Sequence, residues 1–176
     1  AANQAGEVFY VSSVTGGDIA INGVSWEKPF ASIDYALTFC SDDNGDIIYV
    51  LPGHTLAITE AGGLTLDVSG VRIVGVGNNR DRPTISWTTA AAGDMEVDSA
   101  DVSLENFYLD MSGTAAQGPT AAIDVDAEGF SLINCEILVS DTTEAAVLCI
   151  SGDANADRMK ILGVHAYGTS AEVGNT

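Results

Sequence analysis

Gly70-Val-Arg-Ile-Val-Gly-Val-Gly77 returns in altered form as Asp101-Val-Ser-Leu-Glu-Asn-Phe-Tyr108, Gly129-Phe-Ser-Leu-Ile-Asn-Cys-Glu136 and Arg158-Met-Lys-Ile-Leu-Gly-Val-His165, at offsets of 31, 28 and 29 residues. A fixed period of this size marks a stacked repeat. The second and fourth positions are apolar in every copy: Val71 and Ile73, Val102 and Leu104, Phe130 and Leu132, Met159 and Ile161. Alternation with period two predicts a strand with one buried face. The sixth position is Gly75, Asn106, Asn134 or Gly163. Only these residue types readily tolerate the left-handed conformation, so a sharp bend is predicted there in each repeat. After the bend Val76, Phe107, Cys135 and Val164 are expected to point inward.

Upstream, each copy carries a second alternation: Leu64 and Leu66, Met95 and Val97, Ile123 and Val125. In the last copy Leu148 and Ile150 take this place, set farther back by the insertion Gly152 to Asp157. One unit therefore reads strand, turn, strand, bend, strand, loop. It cannot bury its apolar side alone, but units stacked at about 4.8 Å bury a continuous column. The fold class predicted is all-β, a right-handed parallel β-helix. Leucine-rich repeats share this period but need a fixed Leu and Asn consensus, which is absent.

Ahead of the coils, Phe30, Ile33, Leu37 and Cys40 fall at helical spacing after Pro29, predicting an amphipathic helix that closes the open end. Ile47 to Leu51, ended by Pro52-Gly53, reads as a fully buried first strand. Residues 1–63 thus form an N-terminal cap and residues 64–176 the coils. The last copy breaks off without a helix or charged strand to blunt it, so the expectation is that the chain continues or that another subunit covers that end.

The chain has 176 residues with 25 acidic and 6 basic side chains, a net charge of −19. Such a charge repels phosphate backbones and anionic lipid, which argues against nucleic acid and membrane as partners. Cations, basic surfaces and neutral glycans are the partners it favours. No apolar run is long enough to span a bilayer, and Ala1 to Gln4 has no signal-peptide character. Cys40, Cys135 and Cys149 lack metal-site spacing and are odd in number, so they read as reduced apolar side chains.

Side chains between the inward ones must point out. Thr65, Glu96, Asp124 and Cys149 are then expected in one column and Asp67, Asp98, Asp126 and Ser151 in the next, with Asp94 and Glu128 at the margins. Neighbours would be about 4.8 Å apart across strands and about 6.6 Å along them. This acidic ladder has three readings: a solvated face, a strip for Ca²⁺ or a basic partner, or a catalytic carboxylate pair drawn from Glu96, Asp98, Asp124 and Asp126. Both glycosidase separations, about 5 Å and about 6.5–9.5 Å, are on offer. Ca²⁺ is the one cofactor considered, at Glu96, Asp98, Asp124 and Asp126 or at Asp153, Asn155 and Asp157 in the insertion. Asp42, Asp43, Asn44 and Asp46 lack EF-hand spacing and read as a solvated turn. His54 and His165 have no visible nucleophile partner. Arg72 and Lys160 share one outward column with Ser103 and Ser131 between them, so no base repeats beside the ladder. Arg80 and Arg82 are expected to bond backbone carbonyls, Trp26 to pack the cap and Trp87 a third strand, while Tyr108 offers a sugar-stacking face.

Phe9 to Asp18, Trp26 to Ala36 and Gly45 to His54 resemble the N-terminal cap of pectin-lyase-like right-handed β-helix proteins. With Gly70 to Pro83 added, the sequence is similar to β-helix proteins encoded by tailed bacteriophages. The resemblance implies the fold and leaves activity open, since the superfamily includes polysaccharide lyases, glycoside hydrolases, tailspikes and capsid-attached proteins. Lyases of this group use Ca²⁺ on acidic residues with a basic residue as proton acceptor. The resulting expectation is a non-enzymatic phage structural protein, decorating the capsid or attached to the tail. It would be assembled in the host cytoplasm into the virion, as a homo-oligomer, with a trimer plausible, among virion proteins and in contact with a cell-surface glycan. The alternative is a fragment of a secreted polysaccharide lyase or glycoside hydrolase.

Overall fold

The computed structural model describes residues 6–87, 93–112, 121–139 and 149–168. Its strands, β1 to β15 in chain order, form three parallel sheets. The first holds β1 (Val8–Val11), β2 (Ile47–Val50), β5 (Arg72–Gly75), β8 (Ser103–Glu105), β11 (Ser131–Ile133) and β14 (Lys160–Leu162). The second holds β4 (Leu64–Leu66), β7 (Met95–Val97), β10 (Ile123–Val125) and β13 (Ile150–Gly152). The third holds β3 (Thr55–Ile58), β6 (Thr84–Trp87), β9 (Tyr108–Met111), β12 (Glu136–Val139) and β15 (His165–Gly168). The chain visits the sheets in turn, so each circuit lays one strand on each. This is the right-handed parallel β-helix expected from the repeat.

The repeat's apolar positions stack as one file. Phe9, Ile48, Ile73, Leu104, Leu132 and Ile161 are consecutive partners across the first sheet. Val71, Val102 and Phe130 are buried beside them, and Met159 packs against the same core. Every strand in a hollow solenoid has only one inward face, which is why β2 is half-buried rather than fully buried. Ile48 and Val50 point in, while Tyr49 faces out and stacks on Tyr10 with ring centroids 5.9 Å apart.

Two corners per coil use the left-handed region. Asn106, Asn134 and Gly163 have φ of 62°, 52° and 64°, as the sixth position of the repeat requires. The repeat's first position is also left-handed, at Gly70, Asp101, Gly129 and Arg158, an alignment the sequence displays and the residue types conceal. Gly75 departs from expectation: it ends β5 without a positive φ. Its lack of a side chain serves close approach, because a Cβ there would lie 2.5 Å from the Asn106 carbonyl oxygen. Val76 is likewise 37% exposed instead of buried. The loop after β5, with a 3-10 turn at Asn79–Asp81, delays the inward return to Pro83, which is buried and whose carbonyl accepts from the Tyr108 N–H at 2.9 Å.

The helix α1 (Ile33–Leu37) is shorter than its apolar spacing suggested. Ser32 caps it by accepting from the Tyr35 N–H at 3.2 Å, and Asp18 accepts in turn from the Ser32 hydroxyl at 2.8 Å. Ile33, Ala36 and Leu37 are buried, and the helix rests on β1, β2 and β4. Phe30 stacks on Phe39 at 4.9 Å beneath it, so the top of the core is sealed by aromatic rings. Trp26 is not part of that seal: it is 65% exposed on the loop ahead of the helix, where Phe30 has taken the core position.

Candidate functional site

The second sheet presents the acidic face. Thr65, Glu96, Asp124 and Ser151 are in register across β4, β7, β10 and β13. Beyond the strand ends, the N–H groups of Asp98, Asp126 and Asp153 each bond to the coil above, at the carbonyls of Leu66, Val97 and Val125. The last coil therefore sits two residues away from the expected register. Ile150 lies under Ile123, which puts Ser151 under Asp124 and Asp153 under Asp126, where Cys149 and Ser151 were expected. Leu148 lies outside the described residues. Cys149 is instead half-buried against the core. The slip enlarges the ladder by one carboxylate, Asp153.

Charge crowding marks this face. Partial desolvation, then Asp94, Asp98, Asp126 and Asp124, push the Glu96 carboxyl above the usual range. Asp126 is pushed up in the same way, by desolvation and by Asp124 and Asp153. At the top of the face Asp34 of α1 is raised by burial and by Asp67 and Asp18, against backbone hydrogen bonds that lower it. A cavity of about 410 Å³ opens beside the contact of the helix with β4, lined by Asp34, Thr38, Thr65 and Asp67 among others. Two marginal carboxylates are already engaged. Asp94 accepts from the Gly62 N–H at 2.6 Å, and Glu128 pairs with Arg158 at 3.0 Å.

No basic side chain enters the ladder among the described residues. Arg72 lies on the first sheet in register with Ser103, Ser131 and Lys160, as expected, and is held in a two-bond pair by Glu105 at 2.9 and 3.0 Å. Among the described residues no three His, Cys, Asp or Glu side chains converge closely enough to hold a metal ion. In the insertion, Asp153 spends both carboxylate oxygens on Asn155, accepting from its backbone N–H at 2.6 Å and its side-chain amide at 3.2 Å. That pattern is a turn built by its own side chains.

Two polar residues have structural roles the sequence did not disclose. Asp46 is 1% exposed, not solvated; it accepts from the N–H groups of Glu7 and Ser41 and from the Asn44 amide, tying the loop after α1 to the segment ahead of β1. His54 is 2% exposed and its Nδ1 accepts from the Ser13 N–H at 2.9 Å, while Nε2 is buried without a partner. Burial lowers its pKa to about 4.

A second cavity, also of about 410 Å³, opens on the third sheet. Thr84, Tyr108, Glu136 and His165 are in register there, and the Tyr167 and Tyr108 hydroxyls are 3.3 Å apart. The loop after β5 supplies Arg80 and Arg82 to the rim. Arg82 faces Glu136 at 3.3 Å rather than backbone carbonyls. Trp87 lies inside, as expected for a third strand, with its indole N–H donating to the Ala122 carbonyl at 3.0 Å. This grouping was available in principle: the repeat alignment itself brings Tyr108, Glu136 and His165 to one position.

No protein-family model matches the chain, and no curated protein sequence matches it. A solved structure described as a rhamnogalacturonan lyase is similar to it, with a TM-score of 0.59 and 14% sequence identity over 92% of this chain and 52% of its own length. The chain thus spans about half the length of that lyase. At this identity the likeness concerns the fold alone, a parallel β-helix.

Proposed function

We propose that the chain is a non-enzymatic structural protein of a bacteriophage virion, a capsid-decorating or tail-associated β-helix used in assembly or in contact with the host surface. The observation that supports this most is the acidic face. Glu96, Asp98, Asp124, Asp126 and Asp153 form a ladder, and the cation at its margin, Arg158, is taken up by Glu128. Such a strip favours docking on basic virion surfaces and disfavours adhesion to packaged DNA. The phage-like stretches at Phe9 to Asp18 and Gly70 to Pro83 support the same reading. In it the chain acts as a homo-oligomer among virion proteins, which light scattering tests directly. Mass spectrometry of purified virions should find the chain at fixed stoichiometry; its absence from them overturns the reading.

Polysaccharide cleavage is the second reading, favoured by the raised Glu96 carboxyl beside Asp124 and Asp98. A carboxyl raised by its neighbours, with a second carboxylate on the adjoining strand, is the kind of pair a glycosidase draws on. Lyase chemistry would add Ca²⁺, for which the described carboxylates form no converging set, so no step is assigned to it. Release of reducing ends from a polysaccharide panel, lost in Glu96→Gln and in Asp124→Asn, would establish cleavage and displace the structural reading.

A further inference from the structure

We propose that the cavity on the third sheet is a saccharide-binding site that takes a neutral sugar unit. The proposal deepens the host-contact part of the virion reading by giving it a pocket and a ligand class. The cavity's volume, about 410 Å³, lies within the range of small-molecule sites. Its wall crosses four coils, since Thr84, Tyr108 and Glu136 come from successive strands and Tyr167 from the next. Strands therefore hold Thr84, Tyr108, Glu136 and Tyr167, the loop after β5 adds Arg80 and Arg82, and a ligand meets a wall that is largely preformed.

The chemistry of the lining selects the ligand. Glu136 accepts hydrogen bonds, Arg80 and Arg82 donate them, and the hydroxyls of Tyr108, Tyr167 and Thr84 do both. A ring of hydroxyls that each donate and accept matches that mixture. The Tyr108 and Tyr167 rings add amphipathic surface suited to the C–H faces of a pyranose. Arg82 has unused capacity: its Nε and Nη1 are buried without a hydrogen bond, the Nη1 contact with Glu136 at 3.3 Å being an ion pair alone. Buried donors without acceptors are unfavourable. A small turn of the guanidinium toward a sugar oxygen relieves that deficit.

Charge decides against an anionic ligand. In the lining Arg80 and Arg82 stand against Glu136, Asp81 lies between the two arginines in the chain, and the chain as a whole carries −19. A uronate or phosphate would approach through the field of a strongly negative chain. The site is also separate from the acidic ladder, which belongs to the second sheet.

Calorimetry and saturation-transfer NMR with neutral hexose oligosaccharides, with uronate oligosaccharides as contrast, test the assignment. The folded chain should bind members of the neutral set with ring protons saturated. Glu136→Gln should weaken binding about tenfold or more. Tyr167→Phe, which keeps the ring and whose site is exposed, should weaken it less while leaving the circular dichroism unchanged. Lack of binding to any neutral oligosaccharide, preference for the uronates, or binding that survives both substitutions and falls in Asp98→Asn would each overturn the proposal. Virion incorporation is read separately, so an absent chain sinks the virion reading alone and an empty titration sinks the pocket alone.

Discussion

Asn134 donates its side-chain amide to the Asn106 Oδ1 at 3.2 Å, and Asn106 passes a bond of the same kind to the Gly75 carbonyl at 2.7 Å. Both asparagines are left-handed, with φ of 52° and 62°, so each serves a corner twice, through its backbone conformation and through its amide. The left-handed region costs most L-residues about 1–2 kcal/mol, and a lost hydrogen bond to a part-buried group about 1–3 kcal/mol. Asn106→Ala should therefore destabilise the fold by about 2–5 kcal/mol and Asn106→Gly, which keeps the conformation and loses only the hydrogen bond, by about 1–3 kcal/mol. Urea denaturation midpoints measure both. Equal losses would mean that the backbone conformation contributes nothing at this corner.

Like charges stacked on the second sheet should make the folded chain sensitive to salt. Glu96 and Asp126 are both raised by neighbouring carboxylates as well as by desolvation. Glu96→Gln and Asp126→Asn are expected to raise the melting temperature at neutral pH and low ionic strength. At 1 M salt, where the screening length falls to about 3 Å, the gain should nearly vanish. A gain that persists in high salt would point to packing instead of repulsion.

The fold was legible because a repeated coil writes its constraints several times. Val71, Val102 and Phe130 repeat the same inward position, and Asn106 and Asn134 the same corner, so each copy checks the others. Legibility failed where a copy is interrupted. The loop after Gly75 has no period, which concealed the exposure of Val76 and the inward role of Pro83. The insertion from Gly152 to Asp157 hid the register of β13: hydrophobic matching gave Leu148 and Ile150 as the inward pair, whereas backbone pairing sets Ile150 against Ile123. Asp46 and Trp26 misled for another reason: burial of a carboxylate or exposure of an indole depends on loops that fold over it from distant parts of the chain. The third-sheet cavity combines a strand column with one such loop, and only the strand half was readable.

His54 should make stability fall as the solution is acidified. Its pKa drops from 6.5 to about 4 on folding, so between these values the unfolded chain holds the extra proton. Stability then rises with pH across that window, by about 3 kcal/mol at most, and is lost as pH falls through it. The raised carboxyls of Glu96, Asp126 and Asp34 act with opposite sign, since they take up protons more readily in the folded chain. The variant that isolates His54 is His54→Asn, which can still accept from the Ser13 N–H. Its melting temperature should decline less than that of the parent between pH 6.5 and pH 4. Parallel curves for the two proteins would remove His54 as the source.

The three thiols differ in shelter and should differ in reactivity. Burial pushes Cys135 up to about 11 and, with Asp46 and Glu7 nearby, Cys40 up to about 12, while Cys149 is raised by burial alone. Thiolate is the attacking species, so at neutral pH each site is almost entirely in its unreactive form. Cys135 is further confined: it is 1% exposed and its sulfur accepts from the Phe107 N–H at 3.4 Å. Ellman's reagent should therefore modify the native chain slowly, Cys149 first and Cys135 last, and all three free thiols at once in denaturant. Mass mapping of the modified peptides gives the order. Early modification of Cys135 without loss of the β-sheet signal would show that the corner beside Phe107 opens locally, and would place the weak point of the solenoid at the asparagine corner rather than at its last coil.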